Sequence, residues 1–234
     1  SALPPRSVVV LHACCHNPTG ADLTVGQWKE VVDIVRGKNL VAFIDMAYQG
    51  FADGIGEDAV ALDLFAASGL QFLVSSSFSK SFSLYGERVG ALTIITAGRE
   101  ESARVLSQVK RVIRTNYSNP PTHGGAVVAA VLGSPELRRM WETELAGMRD
   151  RIRIMRTGLV EKLATRGVAQ DFSFIARQRG MFSYTGLTVA QVERLRSEFG
   201  IYAVGTGRIC LAALNSRNID TVADAMATVL RKEG

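Results

Sequence analysis

Cysteine is scarce in this chain: three among 234 residues, two of them adjacent at Cys14-Cys15 and the third at Cys210. No Cys-x-x-Cys pair occurs and three thiols make no disulfide framework, so the disulfide-stapled secreted class is excluded. The expectation is three buried, reduced thiols in a cytoplasmic protein. Long apolar runs are missing as well. Nothing approaches the length of a membrane span, and no signal peptide stands at the start. Repeats and low-complexity tracts are absent. Charge of one sign is barely in excess, with 27 basic residues against 22 acidic ones, a net +5. The basic residues are spread over helical segments such as 137–156 and alternate with Glu and Asp. That pattern reads as a solvated helix face, not a nucleic-acid stripe. Histidine is rare too. His12 and His16 are four apart but fall on a strand running into an Asn-Pro turn, so they share no helical face and no metal site is expected. What the chain does have is 47% hydrophobic and 21% charged residues, enough to bury a substantial core.

Apolar runs alternate with amphipathic stretches. Strands are expected at 8–12, 40–45, 72–75 and 91–95, with helices at 24–36 and 58–67 between them. This alternation argues for a parallel or mixed sheet with helices on its faces. A helix over 98–114 ends near Asn119-Pro120-Pro121, another starts at Thr122, and a long one runs from Pro135 to about Arg166. After Gly167 the texture changes. Strands at 181–184, 202–204 and 209–212 alternate with helices at 188–199 and 219–230, suggesting a second, smaller α/β unit.

The most informative stretch is Ser77-Phe78-Ser79-Lys80-Ser81-Phe82, followed by Leu84-Tyr85-Gly86-Glu87-Arg88-Val89-Gly90. Lys80 sits just past the apolar run Phe72-Leu73-Val74, and an amine at the end of a buried strand is poorly solvated, hence nucleophilic near neutral pH. Serine hydroxyls and a guanidinium nearby are what a phosphate monoester requires. Together they describe a pyridoxal phosphate pocket with Lys80 as the Schiff-base lysine. Asp45 closes the apolar run Val41-Ala42-Phe43-Ile44, which carries its carboxylate into a nearly dry site. Such a carboxylate needs a cationic partner, and a protonated pyridine nitrogen is one. His12 is expected to pack near it.

Three further segments extend the pattern: His12-Ala13-Cys14-Cys15-His16-Asn17-Pro18-Thr19-Gly20-Ala21-Asp22, Phe43-Ile44-Asp45-Met46-Ala47-Tyr48-Gln49-Gly50-Phe51, and Ile113-Arg114-Thr115-Asn116-Tyr117-Ser118-Asn119-Pro120-Pro121. In this order and at these separations they resemble the class I aminotransferases, the fold-type I pyridoxal phosphate enzymes that include aspartate and aromatic-amino-acid aminotransferases. The chain looks closest to the aromatic (tyrosine) branch, on Ser79-Lys80 through Gly90, on residues 179–187 and on Gly207-Arg208-Ile209-Cys210.

The resemblance implies a set of roles. Lys80, Asp45 and Tyr48 would be catalytic. Tyr48 and Asn17 would hydrogen-bond the cofactor's phenolic oxygen, and Ser77, Ser79 and Arg88 would bind its phosphate. Ser118 would reach toward the phosphate of a neighbouring subunit. Arg208 would grip the substrate's α-carboxylate, with Asn17 beside it, and Arg114 would cross a homodimer interface to the distal carboxylate of dicarboxylic substrates. The implied fold is the C-terminal part of a transferase large domain, a mostly parallel sheet with helices on both faces, over residues 1–145. A smaller α/β domain would follow over 146–234, joined by the long helix. A large segment would precede the chain in the parent enzyme and supply part of the phosphate cup. The expected reaction moves an amino group between tyrosine or phenylalanine and 2-oxoglutarate. The alternatives are aspartate aminotransferase or an incomplete, non-catalytic fragment.

Ser77-Phe78-Ser79-Lys80 also fits the Ser-x-x-Lys nucleophile motif of penicillin-binding proteins, but that class's Lys-Thr-Gly is absent and its serine should open a helix.

Overall fold

β-branched and aromatic runs bounded by turn residues become the four strands of the first sheet: β1 (Val8–His12), β2 (Val41–Met46), β3 (Phe72–Ser77) and β4 (Gly90–Ile95). They stand in the order β1-β2-β3-β4. A computed structural model describes residues 3–231 of the chain. The described residues cluster into two units. One comprises residues 3–14 and 23–145, the other residues 15–22 and 146–231. Among the described residues no helix is long and apolar enough to cross a membrane.

In the first unit β1, β2 and β3 are parallel, and β4 returns antiparallel to β3. The parallel pairs are joined by crossovers that carry α1 (Val25–Gly37) and α2 (Val60–Ala67). Thr24 starts α1 with a capping box. Its hydroxyl accepts the Gln27 N–H, and the Gln27 side chain accepts the Thr24 N–H. Alternate residues of β2, Ala42, Ile44 and Met46, point into a core shared with Trp28, Val32, Val35, Phe65 and Phe72. The rings of Phe65 and Phe72 lie 5.4 Å apart. α3 (Arg99–Asn116), α4 (His123–Gly133) and the start of α5 (Pro135–Thr165) complete this unit. Its surface stays apolar in places: Val8 and Val10 of the edge strand β1 are exposed, and α3 buries none of its residues.

The second unit holds the remainder of α5, a short helix α6 (Ser173–Arg177), a two-stranded antiparallel sheet of β5 (Phe182–Tyr184) and β6 (Arg208–Cys210), and helices α7 (Val189–Phe199) and α8 (Ile219–Leu230). A second capping box, Thr188 with Gln191, starts α7, and Gly200 ends it in the left-handed conformation.

Several expectations are corrected. Residues 202–204 form no strand. The Val204 N–H donates to the Arg208 carbonyl at 3.2 Å and the Gly207 N–H to the Val204 carbonyl at 2.8 Å. This closes a turn into β6 in place of a third ladder, and Tyr202 stands 82% exposed. Ala212 belongs to a 3-10 turn and not to β6. Cys210 is exposed rather than buried, whereas Cys14 and Cys15 are buried.

Candidate active site

The register of the first sheet determines which side chains meet. His12 of β1 pairs with Asp45 of β2, Asp45 with Ser75 of β3, and Ser77 with Gly90 of β4. The carboxyl ends of three parallel strands therefore share one edge with the start of β4. Loops leaving that edge are where parallel α/β sheets present ligand-binding groups. Asp45, Tyr48, Ser77, Ser79, Lys80 and Arg88 all belong to it.

Asp45 is less dry than its apolar strand suggested, because its side chain is 36% exposed. The strand buries the opposite face, Ile44 and Met46, and turns Asp45 away from it. His12 Nε2 lies 3.7 Å from the carboxylate, as expected from their pairing, and the Ser75 hydroxyl lies 3.5 Å away. Tyr48 is buried, and the Lys80 amine sits 4.7 Å above the centre of its ring. The attraction between a cation and an aromatic face fixes the amine's position over the ring. Lys80 is half-buried and therefore less desolvated than expected, because β3 ends at Ser77 and leaves it in the following turn.

That turn is tightly organised. Ser77 Oγ accepts the Ser79 N–H at 3.2 Å, and Ser79 is buried. Ser83 and Arg88 both adopt left-handed backbone conformations, with φ of 55° and 53°. Non-glycine residues in that region carry strain that surrounding structure must hold. Part of the hold comes from α5: the Trp141 indole N–H donates to the Ser81 carbonyl at 2.7 Å, and its ring stacks on Phe82 at 4.5 Å. Trp141→Phe keeps the stacking and loses the donor. It is expected to lower the unfolding free energy by about 1 kcal/mol in chemical denaturation. An unchanged midpoint and slope would show that the hydrogen bond contributes nothing to the turn. Arg88 is exposed and donates to the Tyr85 carbonyl at 2.8 Å. Ser77 ends a strand and opens no helix, which removes the Ser-x-x-Lys alternative.

The loop after Tyr48 has its own organiser, which sequence reasoning missed. The buried Asp58 carboxylate accepts N–H groups from Gly50, Ala52, Asp53 and Gly54 at 2.8–3.3 Å. Arg114 and Ser118 stand at the end of α3, where the Arg114 guanidinium donates to the Ser118 hydroxyl. Arg114 is exposed.

Asn17 and Arg208 belong to the second unit, where they meet: Arg208 Nη1 donates to Asn17 Oδ1 at 3.0 Å. The Arg208 guanidinium also lies 4.8 Å over the Phe182 ring. The turn carrying Asn17 is closed by Asp22, whose carboxylate accepts the N–H of Cys15 at 2.7 Å and of His16 at 2.8 Å. Thr19 adds a 2.7 Å contact with His16 Nδ1. The Asn17 amide thereby orients one edge of the guanidinium.

One arginine overturns the reading of 137–156 as a solvated face. Arg156 is 2% exposed, on the same stripe of α5 as the buried Ile152, Leu159 and Leu163. Its position at i+4 from Ile152 and i−3 from Leu159 is the signal that would have found it.

Residues 1–226 match the family model for aminotransferase class I and II. The chain is 69% identical over 230 residues to the aspartate aminotransferase of Pseudomonas aeruginosa, covering 98% of this chain and 58% of that protein. It is 53% identical over 228 residues to the aromatic-amino-acid aminotransferase of Escherichia coli, covering 97% and 57%. The crystal structure of the Burkholderia pseudomallei aromatic-amino-acid aminotransferase, covalently bound to pyridoxal phosphate, superposes with a TM-score of 0.97 at 68% identity over 98% of this chain and 58% of that one. The chain thus spans less than two thirds of the length of the curated relatives it matches.

Proposed function

Because the chain belongs to the class I and II aminotransferases, we propose that the intact protein is a pyridoxal phosphate-dependent transaminase acting between an aromatic amino acid, tyrosine or phenylalanine, and 2-oxoglutarate. The observation that carries this reading is the Lys80 amine over the Tyr48 ring, in a loop leaving the sheet edge where Asp45 ends its pairing. The donor set fits the cofactor. Lys80 offers an amine to an aldehyde, Asp45 a carboxylate to a ring nitrogen, Tyr48 and Asn17 donors to a phenolic oxygen, and Ser77, Ser79, Arg88 and Ser118 groups for a phosphate. Bound pyridoxal phosphate supplies the aldehyde for amine exchange and a protonated ring that takes up the electron pair of the substrate's Cα–H bond.

The residues act around that chemistry. Asp45 holds the ring-nitrogen proton by its charge. Lys80 takes the proton from the substrate's α-carbon and returns one, as a positioned base and then acid. Arg208 binds the α-carboxylate through its fork, aligned by Asn17. Arg114 receives the distal carboxylate of 2-oxoglutarate, in a homodimer whose subunits share their sites. Residues 1–145 would form the second half of the cofactor-binding domain and 146–234 the small domain, in a cytoplasmic enzyme. Aspartate as the preferred amino donor is the second reading. It is supported by Arg114, which suits a dicarboxylate, and by the 69% identity to a relative of that name.

The test is the separate measurement of each half-reaction in the intact enzyme. Arg208→Ala is expected to raise KM for tyrosine, aspartate and 2-oxoglutarate alike, by roughly tenfold to a hundredfold, the worth of a charge-assisted hydrogen-bond pair. Arg114→Ala should impair aspartate and 2-oxoglutarate and spare tyrosine. Equal losses on tyrosine and aspartate for Arg114→Ala would refute the division of labour. A wild-type enzyme far faster on aspartate than on tyrosine would select the second reading, and one that turns over neither with 2-oxoglutarate would refute both.

A further inference from the structure

Arg156 is a cation in the core with no carboxylate bonded to it. Its Nη1 donates to the Ile175 carbonyl at 3.0 Å and the Ser183 hydroxyl at 3.3 Å. Its Nη2 donates to the carbonyls of Arg179 at 3.0 Å, Gly180 at 2.7 Å and Phe182 at 2.6 Å. Nε has no partner. Burial pushes its pKa down to about 10, opposed by Cys15 and Asp22. Placing a guanidinium here is costly, and packing α5 against this segment would be served as well by methionine. What methionine cannot do is gather four carbonyls from residues 175–182 around one point.

Those carbonyls belong to the segment on which the Asn17–Arg208 pair rests. The Phe182 ring lies under the Arg208 guanidinium at 4.8 Å. The Arg179 N–H donates to the Gly20 carbonyl at 2.8 Å, anchoring the far end of the Asn17 turn. Gly20 has φ of 70°, and a Cβ there would stand 2.6 Å from the Phe182 carbonyl, so the turn lies directly against the segment. Gly180 approaches Cys15 as closely, and a Cβ there would collide with the Cys15 side chain. Phe182, and Asn17 through the Gly20–Arg179 bond, are therefore both anchored on the segment whose carbonyls Arg156 holds.

We infer that Arg156 is a positioning residue that sets the plane of the Arg208 guanidinium, and thereby the enzyme's affinity for the α-carboxylate of its substrates. This rests on the reading of Arg208 given above. A displacement of the fork by a fraction of a hydrogen-bond length weakens a two-point grip, while the groups that move the proton are untouched.

The experiment uses the intact enzyme with Arg156→Lys, which keeps the charge but not the fork, and Phe182→Leu, which removes the ring without touching the core cation. The readouts are KM and kcat for the tyrosine and aspartate half-reactions, and the Kd of 3-phenylpropionate, a probe with a carboxylate and no amine. Both variants are expected to raise KM for both amino acids, and the probe's Kd, by roughly tenfold, with kcat changed much less. The near-ultraviolet and visible absorbance of the lysine-bound cofactor should be retained. A loss confined to kcat, or unchanged KM and Kd in a folded Arg156→Lys, would overturn the inference. Should Arg156→Lys not fold, Phe182→Leu decides, and unchanged values there overturn it equally. Arg208→Ala measured alongside separates the two readings. If it too leaves KM unchanged, the carboxylate assignment of Arg208 falls. If it alone raises KM, only the role of Arg156 falls.

Discussion

Lys80→Ala in the intact enzyme is expected to lower kcat by on the order of ten-thousandfold, the upper range for a positioned acid–base group. On the proposed reading one amine has two tasks, the exchange of the substrate's amino group and the movement of its α-proton, and alanine would perform neither. In the turn, Ser77 Oγ accepts the Ser79 N–H and the Arg88 guanidinium donates to the Tyr85 carbonyl. Lys80→Arg should be almost as damaging, because a guanidinium stays protonated and cannot accept the proton. The check is single-turnover kinetics with tyrosine, together with borohydride reduction and peptide mapping of the wild type, which should mark Lys80. A mark on Lys29, Lys38 or Lys110, or an alanine variant with more than a tenth of the wild-type rate, would sink the assignment.

Asp45→Ala should lower kcat by roughly a hundredfold to a thousandfold, as loss of one fixed group facing developing charge does elsewhere. The loss should fall on kcat more than on cofactor affinity, because the proposed phosphate, lysine and phenolic-oxygen contacts would remain. Asp45→Asn separates charge from shape. It retains a hydrogen-bonding group opposite His12 and Ser75 but carries no charge, so a deficit as deep as alanine's is expected. Near-normal turnover in either variant would show that Asp45 does not face a cationic ring nitrogen.

What was legible in the sequence was local. Residues 8–12 and 219–230 announce their elements by pattern alone, and both capping threonines stand where the periodic runs begin. Lys80, Asp45 and Tyr48 are marked by neighbours only a few positions away. What was not legible depended on distant partners. Arg156 looks like any helix charge until residues 175–183 supply its acceptors, Asp58 like a helix-start acid until the backbone of 50–54 folds over it, and Trp141 like core until Ser81 offers a carbonyl. Residues 202–204 have strand composition but meet β6 through a turn and join no ladder. Asp45 was placed in a drier setting than it has, since an apolar run says nothing about which of its two faces is covered.

The 191-residue separation between Asn17 and Arg208 bears on the order in which the chain assembles. Asp45, Tyr48, Ser77, Lys80 and Arg88 lie between the start of β2 and the end of β4, so all are present once residue 95 has been synthesised. The antiparallel turn from β3 to β4 closes a short loop, and closure entropy grows with loop length by about 0.6 kcal/mol per doubling. The Asn17–Arg208 contact must wait for residue 208 to leave the ribosome and must close a loop of 191 residues. Formation of the contact should therefore lag behind that of the lysine's surroundings during folding, although its own neighbours on either side are closely bonded once formed.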